Sequence, residues 1–165
     1  MSDEGICLVS SDGRLKVCFR YQDDRYVHEI SVDGIRAAAS LDGDSDQDWP
    51  PSPPLQQLSL ENLDGRDVIL GVGAAGKSHF SLAVEPTPEA EGVSGLHFEW
   101  ACRTTQSDPD LMASYTDVSS GLQIVAQSSA AATEKESGII FRPNAGQACP
   151  TFQWAYRVTV QSQSA

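Results

Sequence analysis

The chain has 165 residues, 40% of them hydrophobic, with 11 Lys and Arg against 23 Asp and Glu, a formal net charge of −12. That length suits one domain, residues 1–165, and the apolar fraction is too high for a disordered chain. The acidic balance argues against a nucleic-acid partner, which needs a basic footprint, and against an anionic membrane surface; no apolar run of about 18 residues is present to span a bilayer.

The first residues, Met1 to Gly5, lack a basic n-region, so no secretory signal is expected and a cytoplasmic location follows. Period-two alternation, the mark of half-buried strands, then dominates residues 4–42. Ile6 and Leu8 form the first set, Leu15, Val17, Phe19 and Tyr21 the second, Tyr26, His28, Ile30 and Val32 the third, and Ile35, Ala37, Ala39 and Leu41 a weaker fourth. Asp12-Gly13 and Asp33-Gly34 read as two-residue type I′ turns, and Gln22–Arg25 as a four-residue loop. Those turns pair Leu8 with Val17, Ile6 with Phe19, Phe19 with His28, Val17 with Ile30, Val32 with Ile35 and Ile30 with Ala37. All apolar residues then share one face, and a slip of one residue would destroy the agreement. The same register sets Cys7 opposite Cys18 on the other face.

Residues 42–54, acidic and then proline-rich, read as an extended connector. Trp49 is expected to pack on the prolines that follow it and pin the connector across a sheet edge. A second meander is predicted over residues 56–104. Leu58 and Leu60 lead into a turn at Asp64-Gly65. Val68, Leu70 and Val72 lead into a glycine-rich turn at Gly73–Lys77, and Phe80, Leu82 and Val84 return to a loop at Glu85–Val93. Leu96, Phe98, Trp100 and Cys102 close the set. The expected pairs are Val72 with Phe80, Leu70 with Leu82, Val84 with Leu96 and Phe80 with Trp100.

The last third is less regular. Asp108-Pro109 resembles an N-cap with proline at the first helical position, which predicts a short helix over 109–115. Within the C-terminal strands, 121–161, Leu122 to Ala126, Ile139 to Phe141, and Phe152 to Val160 read as strands, and Ser128–Ser137 as a loop or one helical turn. The fold class is all-β: two antiparallel four-strand meanders plus C-terminal strands, packed as a sandwich or a flattened barrel.

Gly71-Val72-Gly73-Ala74-Ala75-Gly76-Lys77-Ser78 fits the phosphate-loop pattern G-x-x-x-x-G-K-[ST]. Such a loop must open a helix whose free N–H groups hold the anion. Here Phe80, Leu82 and Val84 alternate up to Pro86, so the segment reads as a hairpin tip, and no cofactor is expected. Asp42, Asp44, Asp46 and Asp48 alternate like the start of a calcium loop and are the metal candidates. Gln47 and Pro53 stand where an EF-hand needs Gly and Glu, so a solvated acidic linker is the favoured reading. His28 is expected to be buried and hydrogen-bonded. His79 and His97 should lie on the outer face of the second meander, opposite Ala101 and Ala83. No nucleophile elbow occurs, and no catalytic residue is assigned.

Cys7, Cys18, Cys102 and Cys149 lack zinc-site spacing, and a reducing compartment predicts free thiols. The segments Trp49 to Leu58, Gly76 to Ser81 and Phe98 to Arg103 resemble an uncharacterised bacterial family over the middle third of the chain. The resemblance implies a bacterial cytosolic protein and carries over no active-site residue. The functional expectation is a non-catalytic binding or interaction module with a protein partner. The alternatives are a small-ligand barrel with a cavity lined by Phe19, Phe80, Trp100 and Trp154, and an enzyme of unknown class.

Overall fold

The computed structural model describes residues 5–87, 94–136 and 138–161, and all regular structure among them is β. The strands are β1 (Ile6–Val9), β2 (Leu15–Gln22), β3 (Arg25–Val32), β4 (Ile35–Leu41), β5 (Gln57–Leu63), β6 (Arg66–Ala75), β7 (Ser78–Pro86), β8 (Gly95–Arg103), β9 (Ala113–Thr116), β10 (Leu122–Ala126), β11 (Ala130–Glu134), β12 (Gly138–Pro143) and β13 (Thr151–Val160). They form a seven-stranded sheet, β1-β2-β3-β4-β9-β12-β11, and a six-stranded sheet, β10-β13-β8-β7-β6-β5, every pair antiparallel. The sheets do not close into a barrel, and they face each other as a sandwich. Each meander contributes one sheet, and the last third of the chain completes both.

The first meander keeps its expected register: Leu8 faces Val17, Phe19 faces His28 and Val17 faces Ile30. Three details differ. Only Gly13 takes a positive φ (79°) in the first turn, because the Asp12 carboxylate accepts from Ser10 Oγ at 2.8 Å and Arg14 N at 3.1 Å and shapes the loop itself. The loop at Gln22–Arg25 shortens to Asp23-Asp24, since Gln22 pairs with Arg25. A bulge after Ile30 pairs it with Ala38 instead of Ala37, so both alanines are buried and Ile35, beyond the bulge, is 74% exposed.

The second meander departs further. Its first turn is as expected, with Asp64 and Gly65 both at positive φ (55° and 81°). The next turn contracts to Gly76-Lys77, with Ala75 paired to Ser78. This moves β6 by one residue: Ile69 and Gly71 face inward, whereas Leu70 and Val72 are exposed. Residues 68–72 are apolar except for one glycine, so alternation alone could not orient the strand. Between β7 and β8, Val84 faces Phe98, Leu82 faces Trp100 and Phe80 faces Cys102. That is two residues from the expected register, which preserves the inward face. Residues 88–93 of the expected loop lie outside the described residues.

In the last third, the expected helix over 109–115 is absent. Asp108 has φ 55°, outside the extended geometry of an N-cap, and Ala113–Thr116 enters the seven-stranded sheet between β4 and β12. The expected loop at 128–137 contains β11, paired along its length with β12.

The acidic half of the connector, residues 43–48, is exposed as expected, but the proline half is part of the core. Ser52 and Leu55 are 2% and 1% exposed, and Pro53 and Pro54 are buried with them. Where β4 ends, residues 50–55 fill the gap it leaves between β3 and β9. Ser114 N–H donates to Ser52 Oγ (3.0 Å), Ser114 Oγ donates to the Pro51 carbonyl (2.7 Å), and Tyr26 N–H donates to the Leu55 carbonyl (2.8 Å). Gln56 N–H then donates to the Val72 carbonyl (3.0 Å) in the opposite sheet. Trp49 is half-buried against the core.

Cys7 and Cys18 face each other directly, and they are joined in a disulfide, with Cα atoms 4.1 Å apart. This corrects the expectation of free thiols at that pair; Cys102 and Cys149 are free. The bond ties the edge strand β1 to β2 across a sequence separation of 11 residues. On the chain-entropy account, closing such a loop contributes roughly 2–3 kcal/mol by restricting the unfolded chain. Dithiothreitol should therefore lower the melting temperature of the wild type while leaving a Cys7→Ala/Cys18→Ala variant unmoved. Equal melting curves for the wild type with and without reductant would disprove the contribution.

Candidate functional site

The phosphate-loop look-alike is the β6–β7 hairpin, and no helix starts at Lys77. Gly76 takes a positive φ (57°) in the turn, and the other two glycines serve packing. A Cβ on Gly73 would lie 1.9 Å from the Pro54 carbonyl oxygen, and one on Gly71 would lie 2.7 Å from Leu58 Cδ1. Gln56 reinforces this contact, accepting from Ala74 N–H (2.7 Å) and donating to the Ala74 carbonyl (3.2 Å). Ser78, which would bind magnesium in a phosphate loop, is buried and donates to Thr104 Oγ1 at 2.9 Å.

The four aspartates of the connector do not converge. Asp42 turns inward and accepts from Ser40 Oγ at 2.6 Å, Asp44 accepts from Asp46 N–H at 3.0 Å, and Asp48 lies beside Gly76. Among the described residues no group of three or more His, Cys, Asp or Glu is arranged to hold a metal ion. Burial pushes the Asp42 carboxyl up to about 6, against the pull of Ser40 and Arg25. His79 faces Arg103 and His97 faces Glu85, each two residues from its expected partner, on the adjacent strands β7 and β8.

The interior is filled. Trp100, Trp154, Tyr115, Tyr156, Phe19, Phe98 and Phe141 are each under 2% exposed, and Trp100 faces Trp154 across β8 and β13. The residues expected to line a ligand cavity therefore pack against their neighbours. Between the sheets runs one buried polar chain. Trp100 Nε1–H donates to the Tyr156 hydroxyl (3.0 Å), which lies 2.5 Å from the Tyr115 hydroxyl, which lies 2.7 Å from His28 Nε2. Indole can only donate, so every group is satisfied when Tyr156 donates to Tyr115 and Tyr115 donates to a neutral His28. Burial keeps His28 neutral by pulling its imidazole down to about 3, and it raises both phenols. The chain is sealed from solvent, so it orders the core and offers no reactive group to a substrate.

Several open grooves lie on the surface of the described residues, and one of them is at a corner of the sandwich. β10 and β11 are consecutive but end different sheets, and they diverge from a short turn at 127–129. A groove of mixed polarity, about 580 Å³ in volume, lies between them; Leu122, Ile124, Ala126 and Ile139 line it together with Gln123, Glu134, Lys135, Glu136 and Gln161. Ala132 and Glu134 face the same side as Phe141 and Ile139, both core residues, yet both are exposed. The interior is uncovered here because small side chains occupy the edge.

The backbone is uncovered too. Gln161 N–H donates to the Gly121 carbonyl and Gln127 N–H to the Ala155 carbonyl, each at 2.9 Å. Bonding residues alternate along an antiparallel ladder, so Gln123 and Val125 bond to β13, while Ile124 and Ala126 turn their amides and carbonyls to the free edge. On β11, Asn144 N–H donates to the Ser129 carbonyl and Lys135 N–H to the Gly138 carbonyl, which leaves Ala132 and Glu134 facing outward in the same way. Sequence reasoning missed this site because β11 is a run of small residues with no alternation. No protein-family model, curated protein or solved structure matches the chain.

Proposed function

We propose that the protein is a non-catalytic interaction module that takes up an extended peptide by strand addition at β10. The observation that carries this reading is the coincidence at Ile124 and Ala126 of an unpaired backbone edge with apolar side chains that line an open groove. A strand laid along β10 would bond to those two residues and seat its alternate side chains between the sheets, covering the interior. The filled core favours this over a small-ligand barrel, and the sealed polar chain favours it over an enzyme.

A five-residue edge buries little area, so the affinity expected is weak, on the order of 0.1 mM. An acetylated, amidated eight-residue peptide alternating valine with serine, titrated into the ¹⁵N-labelled protein, should shift the amide resonances of Ile124 and Ala126 most. Ala126→Pro removes one free-edge donor where proline is tolerated, and Ala132→Phe fills the groove; each should weaken binding at least tenfold while the protein stays folded. Shifts confined to other strands, or unchanged affinity in both folded variants, would defeat the reading.

A further inference from the structure

Resting on that reading, we infer that the segment bound at β10 is cationic, carrying a Lys or Arg at an inward-facing position. Glu134 stands on the inward face of β11, opposite the buried Ile139, and lines the groove beside Lys135 and Glu136, and among the described residues no ion pair engages it. An inward-pointing charge on an edge strand repels indiscriminate pairing, because an apolar or acidic strand would have to bury that carboxylate uncompensated. A strand that brings a cation to the same depth removes the penalty and gains a partly desolvated pair. Glu134 thereby excludes some strands and admits others, which is how specificity is built. The whole chain favours the same partner, since a net charge of −12 draws a cationic peptide and repels a second copy of itself.

The test compares three versions of the eight-residue valine–serine peptide, in which one inward valine, at each position in turn, is replaced by lysine, methionine or glutamate. Fluorescence anisotropy with the full chain should show the best lysine peptide binding about fivefold tighter than its methionine counterpart, and the glutamate version weakest. The lysine advantage should fall to near unity in Glu134→Gln and in high salt. A Glu136→Gln variant, altered beyond the end of β11, should retain most of it. Equal binding of lysine and methionine peptides would overturn the cationic partner while leaving strand addition intact. Failure of every peptide would overturn both. Dimerisation of the free protein in sedimentation, abolished by Ala126→Pro, would identify a second copy as the occupant and overturn this inference.

Discussion

Gly73→Val should destabilise the protein by about 3 kcal/mol or more, whereas Lys77→Ala, four residues along the same motif, should change stability by no more than about 0.5 kcal/mol. A Cβ at position 73 would meet the Pro54 carbonyl oxygen at 1.9 Å and the Gln56 side chain at 2.7 Å. The obstacle is backbone, so it cannot rotate away. Accommodation means lifting residues 52–56 from the sheet, which exposes Leu55 and breaks the bonds from Tyr26 and to Val72. Lys77 is an exposed residue of the turn. Chemical denaturation of the two variants checks the contrast. A true phosphate cradle would show the reverse signature, with a Lys77-dependent rise in melting temperature on adding ATP and magnesium. A neutral Gly73→Val variant would refute the account of the connector.

His28 and Asp42 should impose opposite pH dependences that nearly cancel in the wild type. The His28 imidazole lies at about 3 in the folded protein, because it is buried against Phe19, Phe98 and Tyr115. In the unfolded chain it lies near 6.5. Its folded value is depressed, so the stability it carries is complete above about pH 6.5 and is lost as the pH falls toward 3. Asp42 is shifted the other way, up to about 6, mainly by burial, with Ser40 and Arg25 opposing. Its folded value is raised, so its contribution is complete below about pH 4 and is lost as the pH rises through 6.

Each slope amounts to about 1.4 kcal/mol per pH unit. Between pH 4 and 6 the folded state takes up the Asp42 proton while the unfolded state takes up that of His28. Asp12, Asp24 and Asp33, which are held low by hydrogen bonds from Arg14, Arg25 and Arg14 respectively, contribute only at more acid pH. Asp42→Asn should expose the His28 slope, with roughly 2–3 kcal/mol lost on acidification from pH 6 to 4. His28→Gln should expose the Asp42 slope, with stability falling by about 2 kcal/mol as the pH rises over the same interval. Urea titrations of the three proteins at pH 4, 5 and 6 measure this directly, and parallel profiles would refute the opposition.

How much of this was legible in the sequence differs between the two halves. The first meander was readable almost residue by residue, because Leu15 to Tyr21 and Tyr26 to Val32 alternate cleanly and polar turns fix their separation. Local chemistry suffices for such hairpins, since the side-chain period and the turn length specify the same register. The run at residues 68–72 offered no polar residue to mark the outer face. Its orientation was decided by Leu55, which needs the space that Gly71 leaves. The disulfide pair was placed correctly as neighbours, but the state of the sulfurs was not written in their spacing. Ala130 to Glu134 carries neither alternation nor β-forming bulk, and becomes a strand only because β12 offers it a ladder. The candidate site belongs to this last class. Nothing local marks Ile124, Ala126, Ala132 and Glu134 as companions. They share one groove because β10 and β11 enter different sheets, and the assignment of strands to sheets is a property of long-range pairing that no short window of sequence contains.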